Sequence, residues 1–307
     1  MTFTETLAIQ PVGPFDFDLT AQIFQRGDEK IRTFQGGVFT QVINVNNKLA
    51  LVSLTSTGTV SQPQIAVEVK SNHPFTSLDK CSVLEMVSYV FNLNLNLCNF
   101  YQAIKNDATM KRITQQLYGL RNPTTPKVFE SLVDSIIEQQ ISILVAIVLE
   151  EKLTKKFGER LELDGQNYFA FPTPHSLARR SVEEIQNIGL SRRKAEYVLG
   201  VANEIVSGKL NLEVMRNYSS AEKIISELDA IRGIGAWTAE LTMLRGMQRL
   251  EAFPADDLGL RRVISKYYCD RKPIKSAEAR NIAEAWGRWK GLAAFYLIVA
   301  EVKDITA

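Results

Sequence analysis

Leu228-Asp229-Ala230-Ile231-Arg232-Gly233-Ile234-Gly235-Ala236-Trp237-Thr238-Ala239 joins two helical patterns through a short turn, Ile231 to Gly235, with glycine at alternate places. Glycine permits positive φ and lets another backbone approach closely. A turn of this kind running straight into a helix presents the N–H groups of Gly233, Gly235 and Thr238 to solvent, and the helix N-terminus adds partial positive charge. Together they form a nest for a phosphate oxygen. The two glycines alone would serve an ordinary packing corner between helices equally well, so the neighbouring residues decide the reading.

Downstream the chain reads Phe253-Pro254-Ala255-Asp256-Asp257-Leu258-Gly259-Leu260-Arg261-Arg262. An acidic pair stands at a helix start with basic residues one turn inside, and either aspartate suits the N-cap. The hairpin string resembles the helix-hairpin-helix of the DNA glycosylase superfamily, in particular its AlkA-like 3-methyladenine DNA glycosylase branch. Members carry a similar Gly-hydrophobic-Gly hairpin followed by a Thr-Ala pair. The resemblance implies an essential aspartate immediately before the Leu-Gly pair, which is Asp257, and leaves Asp256 as the structural residue. The sequence distance from Trp237 to Asp257 also matches the family's. Further implied are an alkali ion, Na+ or K+, held by the backbone carbonyls of Asp229, Ile231 and Ile234 and bridging to the phosphate, and no organic cofactor. Where bifunctional relatives carry a nucleophilic lysine this chain has Trp237, and an indole cannot form a Schiff base. Base excision without strand cleavage is therefore expected.

A flipped-out base needs a pocket, usually walled by aromatic faces. The resemblance points to Trp237 and Trp286 as those walls, suited to cationic alkylpurines through a cation–π attraction. Trp289 could replace Trp286, and plain core packing is the alternative for each. Leu258 and Leu241 stand where the best-known relative has tyrosines, which implies a different substrate range. The stretch Ser135-Ile136-Ile137-Glu138-Gln139-Gln140-Ile141-Ser142 resembles the family's wedge motif, with Gln140 filling the gap left by the flipped nucleotide; a solvent-facing Gln pair is the alternative. Gly189-Leu190-Ser191-Arg192-Arg193-Lys194 offers either a second phosphate contact or a solvated charge run. His73 and His175 have no neighbouring cysteine or paired acids and are assigned to neither metal nor catalysis.

Outward from these motifs, Phe15 to about Val69 is rich in Thr, Val, Phe and Ile, with alternating patches such as Phe15-Asp16-Phe17-Asp18-Leu19. Turns are marked by Gly36-Gly37, Asn46-Asn47 and Gly58, which predicts a small antiparallel sheet. A helical stretch follows near Leu84 to Ala103, then a loop at Asn122-Pro123-Thr124-Thr125-Pro126. Beyond Lys127 a 3.6-residue period places Phe129, Val133, Ile136, Ile137, Ile141, Leu144, Val145 and Val148 on one face of a buried helix. More helices are expected at about 182–187, 192–207, 221–231, 236–244, 259–267 and 277–286, with a last apolar one through Val299. The expected class is α+β: an N-terminal β-sheet accessory domain over 1–110, then a bilobal, all-helical glycosylase domain over 111–307. The helix-hairpin-helix lies at about 221–246.

At 307 residues the chain can hold two or three packed units, with 45% apolar and 23% charged residues as in ordinary soluble proteins. A net charge of +2 requires any nucleic-acid surface to be a local patch. Cys81, Cys98 and Cys269 are too few and scattered for a disulfide framework or an iron–sulfur cluster. With no long apolar run and no signal-peptide start, the expected compartment is the cytoplasm, associated with the nucleoid, or the nucleus. The resemblance thus implies a monomeric, monofunctional DNA glycosylase of base excision repair, acting on alkylated purines in double-stranded DNA containing damaged bases. Two other readings remain open: an oxidised-purine or mismatch glycosylase on the same scaffold, and a non-catalytic helix-hairpin-helix DNA-binding protein. A binder would have no use for a carboxylate close to a polyanion, so Asp257 separates that last reading from the others.

Overall fold

The computed structural model describes residues 1–306. The N-terminal unit holds β1 (Phe3–Ile9), α1 (Phe17–Ala21), β2 (Arg32–Gln35), β3 (Val38–Val45), β4 (Lys48–Ser56) and β5 (Ile65–Ser71). The strands form one antiparallel sheet in the order β1-β5-β4-β3-β2. Along β5, Ile65, Val67, Val69 and Ser71 are buried and the residues between them are not, the period-two signature of a sheet with one face on the core. The two marked hairpin turns have both central residues at positive φ, 57° and 78° at Gly36-Gly37 and 50° and 62° at Asn46-Asn47. That geometry matches the twist of the flanking strands.

Two expectations fail in this unit. The sheet begins before Phe15, because β1 pairs with β5 from Phe3 onward. The alternating patch at Phe15 to Leu19 is a helix start, not a strand. The Asp16 side chain accepts the Leu19 N–H at 2.8 Å, and this cap prevails over the alternation.

α2 (Ser77–Val90) packs Val83 and Val87 onto Phe39, Val52 and Val67 of the sheet. The single helical stretch expected near Leu84 to Ala103 is two helices, since the chain turns at Asn92 (φ 55°) before α3 (Leu97–Ala103). α4 (Ala108–Gln116) follows. The expected division between residues 110 and 111 runs through this helix. Met110 and Ile113 of α4 share a core with Leu97 and Phe100 of α3 and with C-terminal residues including Leu260, Leu292 and Leu297.

The remaining chain holds α5 (Val128–Glu138), α6 (Ile143–Phe157), β6 (Glu159–Leu163), β7 (Gln166–Ala170), α7 (Pro174–Ala178), α8 (Val182–Gln186) and α9 (Arg192–Val206). Then come α10 (Leu212–Met215), α11 (Ala221–Asp229), α12 (Ala236–Gly246), α13 (Leu258–Tyr268), α14 (Ser276–Ala283) and, after a 3-10 segment at Glu284–Trp289, α15 (Lys290–Val302). Two helical cores result. One gathers α5 to α12, the other α3, α4 and α13 to α15, so the bilobal architecture is as expected.

The helical region is not all-helical. β6 and β7 form a hairpin whose Leu161, Leu163 and Ala170 pack on Val42 of the N-terminal sheet, tying it to the first lobe. The buried helix expected through Val148 is broken between α5 and α6 at Gln139 to Ser142. Gln140 has φ 56° there, and Ser142 caps the new helix through Val145 N. As a consequence Leu144, Val145 and Val148 are about half exposed, together with Ile143. Among the described residues no helix is long and apolar enough to cross a membrane.

Candidate active site

The hairpin forms as its sequence suggests. α11 ends at Asp229, Ile234 N–H donates to the Ile231 carbonyl at 3.0 Å, and α12 starts at Ala236 with Gly235 as N-cap. Gly235 has no side chain to supply a capping acceptor, so the first turn of α12 carries no side-chain cap, the state in which a helix N-terminus can take an external anion. The two glycines have different duties. Gly233 sits at φ 91°, and a β-carbon there would lie 2.3 Å from the Tyr197 ring of α9. A β-carbon on Gly235 would meet nothing within 4 Å. One glycine thus admits the hairpin onto α9, while the other keeps the outer face clear.

Thr238 is buried, and its hydroxyl accepts a hydrogen bond from Gln139 Nε2 at 3.0 Å. The same amide donates to the Gly233 carbonyl at 2.9 Å. Gln139, passed over in the sequence, therefore clamps the end of α5 to the hairpin. Its neighbour Gln140 is exposed, followed by the exposed apolar side chains of Ile143, Leu144 and Val145. The sequence signalled a glutamine pair and the resemblance singled out Gln140, which is the exposed member, but nothing in the sequence marked Gln139 as the one bonded to the hairpin.

Asp257 is the N-cap of α13. Its Oδ1 accepts Leu260 N–H at 2.7 Å, and its Oδ2 accepts the Trp237 indole N–H at 3.2 Å. The cap, the structural role expected of Asp256, is thus made by Asp257, the aspartate expected to carry the chemistry. Asp256 is exposed and accepts a bond from the Ser276 hydroxyl at 2.5 Å instead. Trp237 and Asp257 are both half-buried, and they stand on helices of different lobes. An aromatic face and a carboxylate are therefore held side by side where the two lobes meet. Leu258, next in the chain, is 76% exposed, whereas Leu241 is buried in α12.

The loop leading to Asp257 is held by a pair that the sequence did not mark. Arg280 of α14 makes a bidentate bridge to buried Glu240 of α12, at 2.8 and 3.0 Å, and also donates to the Phe253 carbonyl at 3.1 Å. Burial raises the Glu240 carboxyl above its ordinary value, against the opposing pull of Arg280. Three segments that frame the site are fixed by one guanidinium.

Trp286 does not join the pair. It is 1% exposed in the second lobe, its ring set edge-on to Phe253 and Tyr268. Its indole N–H donates to Asp107 at 3.0 Å. Trp289, the substitute, is 7% exposed and packs on Phe100. Both rings are core, because the chain spends large aromatics where apolar burial is greatest. Of the basic trio after Gly189, Lys194 donates to the Ile137 carbonyl at 2.7 Å and Arg192 pairs with Glu196 at 3.2 Å, while Arg192 and Arg193 are both exposed.

Comparison with known proteins agrees with the fold and its hairpin. The family model described as HhH-GPD superfamily base excision DNA repair protein matches residues 133–288, from α5 through the 3-10 segment that precedes α15. The DNA-3-methyladenine glycosylase of Bacillus subtilis is 30% identical over 291 residues, covering 92% of this chain and 94% of that protein. Among solved structures, the 3-methyladenine DNA-glycosylase from Archaeoglobus fulgidus superposes with a TM-score of 0.86 at 28% identity, over 98% of this chain and 100% of that one. The 8-oxoguanine glycosylase/lyase of Clostridium acetobutylicum, solved in complex with double-stranded DNA, shares the fold with a TM-score of 0.78 at 21% identity, over 99% of each chain. The chain belongs to the HhH-GPD superfamily of base excision DNA repair proteins and is a DNA glycosylase.

Proposed function

We propose that this glycosylase removes alkylated purines of the 3-methyladenine type from duplex DNA, using water and not a protein nucleophile. The observation that carries the reading is the 3.2 Å bond from Trp237 to Asp257 across the two lobes. It sets a stacking face suited to an electron-poor base beside a carboxylate suited to the sugar. The C1′–N bond breaks with its electron pair leaving on the base, and a cationic alkylpurine departs neutral. Positive charge develops on the sugar next to Asp257. A unit pair about 4 Å apart at an effective dielectric of ~20 is worth roughly 4 kcal/mol, on the order of a thousandfold in rate. Water then adds to C1′, with Asp257 orienting it and receiving its proton.

DNA is gripped at the N–H groups of Gly235 and the first turn of α12, and Gln140 fills the space of the flipped nucleotide. The exposed apolar side chains after Gln140 support that role, since unstacked bases offer them an apolar face. The carbonyls of Asp229, Ile231 and Ile234 are hard oxygen donors of the kind an alkali ion takes, and Ile231 keeps one lone pair beyond its bond to Ile234. They would hold Na+ or K+ against the phosphate, adding positive charge there. The protein is proposed to act as a monomer on DNA in the cytoplasm or nucleus.

The test is base release from duplexes carrying 3-methyladenine, hypoxanthine, 8-oxoguanine or a mismatch, with borohydride added in parallel on abasic DNA. Release of 3-methyladenine without a trapped adduct is expected. Release confined to 8-oxoguanine or to mismatches overturns the substrate, and a covalent adduct overturns the use of water.

A further inference from the structure

A second set of charged groups lies away from the hairpin, where the N-terminal sheet meets α5 and α6. A cavity of about 110 Å³ opens there, walled by Phe24, Phe169 and Phe171 and by carboxylates. That volume corresponds to roughly three or four water molecules. Most of the nearby charge is already paired. Arg32 of β2 lies over the Phe24 ring at 4.9 Å and bridges Glu130 at 3.2 Å, Lys155 pairs with Asp28, and Arg245 of α12 takes Glu138 at 2.5 Å. Two carboxylates with buried, unpartnered oxygens are left over. Asp134, 8% exposed, has a buried Oδ1 without a partner among the described residues, and Glu150 has a shielded Oε1 in the same condition. Both line the cavity.

A buried carboxylate oxygen without a donor costs free energy that a ligand donor can recover. We propose that this cavity binds a small organic cation, an ammonium or guanidinium group on a compact carbon frame, seated against Asp134 and Glu150. Its aromatic walls favour a cation carrying carbon over a hydrated metal ion. Among the described residues, moreover, no three acidic, histidine or cysteine side chains are arranged to hold a metal.

The site has a pH signature. Burial and facing carboxylates push Asp134 well above the ordinary carboxylate range and Glu150 up to about 7. The charged groups facing them are Glu130 and Glu138 from α5, Arg32 from β2 and Arg245 from α12, with Arg26, Asp28, Glu151 and Lys155 at the rim, where the exposed Arg26 makes no ion pair among the described residues. A bound cation favours the ionised carboxylates, so binding expels protons and strengthens as pH rises.

The experiment titrates the full chain with methylguanidinium or ethylammonium chloride at constant ionic strength, followed by thermal melting and calorimetry. Tetrapropylammonium, too large for the cavity, is the control. A saturable rise in melting temperature is expected, tighter at about pH 8.5 than at about pH 6, with proton release and at least about tenfold weaker binding in Asp134→Asn and in Glu150→Gln. Should one variant fail to fold, the other decides; should both fail, proton release in the unaltered protein decides. The proposal is overturned by the lack of a saturable effect or of proton release, or by equal binding in both variants. Saturation by manganese chloride without any by the organic cations overturns it too.

Discussion

Asp257 stabilises a helix with one oxygen and meets an indole with the other. That division makes its two contributions separable by substitution. Asparagine caps helices as well as aspartate, so Asp257→Asn should change stability by less than about 1 kcal/mol. It should nevertheless lower single-turnover base release by about a thousandfold. Asp257→Ala should lose the chemistry and about 1 kcal/mol besides. Chemical denaturation and a base-release assay on the same preparations check both statements, and unimpaired release in the asparagine variant would remove Asp257 from the mechanism. At this scale the candidate site was legible where its residues fall in short strings: Trp237 and Asp257, which the structure brings into contact, and the two glycines of the hairpin. It was silent on Gln139 as a clamp, on Tyr197 against Gly233 and on Glu240 with Arg280. Each of those contacts joins residues far apart in the chain, and a side chain's partner is not encoded in its own neighbourhood.

Between elements, the hairpin's glycines make contrasting demands. Gly233→Ala forces a methyl into the Tyr197 ring at a φ of 91°, so a stability loss on the order of 2–3 kcal/mol is expected. Gly235→Ala meets open space. It should leave the melting temperature nearly unchanged and weaken duplex binding by about tenfold, because its methyl stands where a phosphate would approach. Melting curves and fluorescence-anisotropy titrations distinguish the pair; equal destabilisation by both would refute the division of labour. Helix positions were legible from periodicity, whereas helix breaks were not. α5 and α6 share one apolar rhythm across Gln139 to Ser142, and only a positive φ at Gln140 together with a serine cap shows that the chain turns there. The β6–β7 hairpin escaped because it is short and buries Leu161 and Leu163 against another unit.

For the whole molecule, the junction between the N-terminal sheet and the first lobe carries a pH dependence. Glu150 has an ordinary value of 4.5 and stands at about 7 in the folded chain, so the native state holds a proton there that the unfolded state has lost. Stability therefore falls as pH rises between those two values, and Asp134, also raised, acts in the same direction. Glu150→Gln should flatten the slope and be more stable than the parent at about pH 8 by roughly 1–2 kcal/mol. Urea denaturation at about pH 5 and about pH 8 measures this; a steeper slope in the variant would contradict it. Overall class and the two helical lobes were legible, because they follow from patterns within segments. The assignment of α3 and α4 to the second lobe was not, since it depends on long-range packing with α13 and α15.

The bond between Trp237 and Asp257 also has an optical consequence. Two of the three tryptophans, Trp286 and Trp289, are sealed in one lobe and should emit as a steady blue background. Trp237 alone reaches across the junction and is partly wet. Any parting of the lobes would release its indole to water and redden its emission. The chain thus carries, without added dye, a fluorophore that gauges the separation of its own halves.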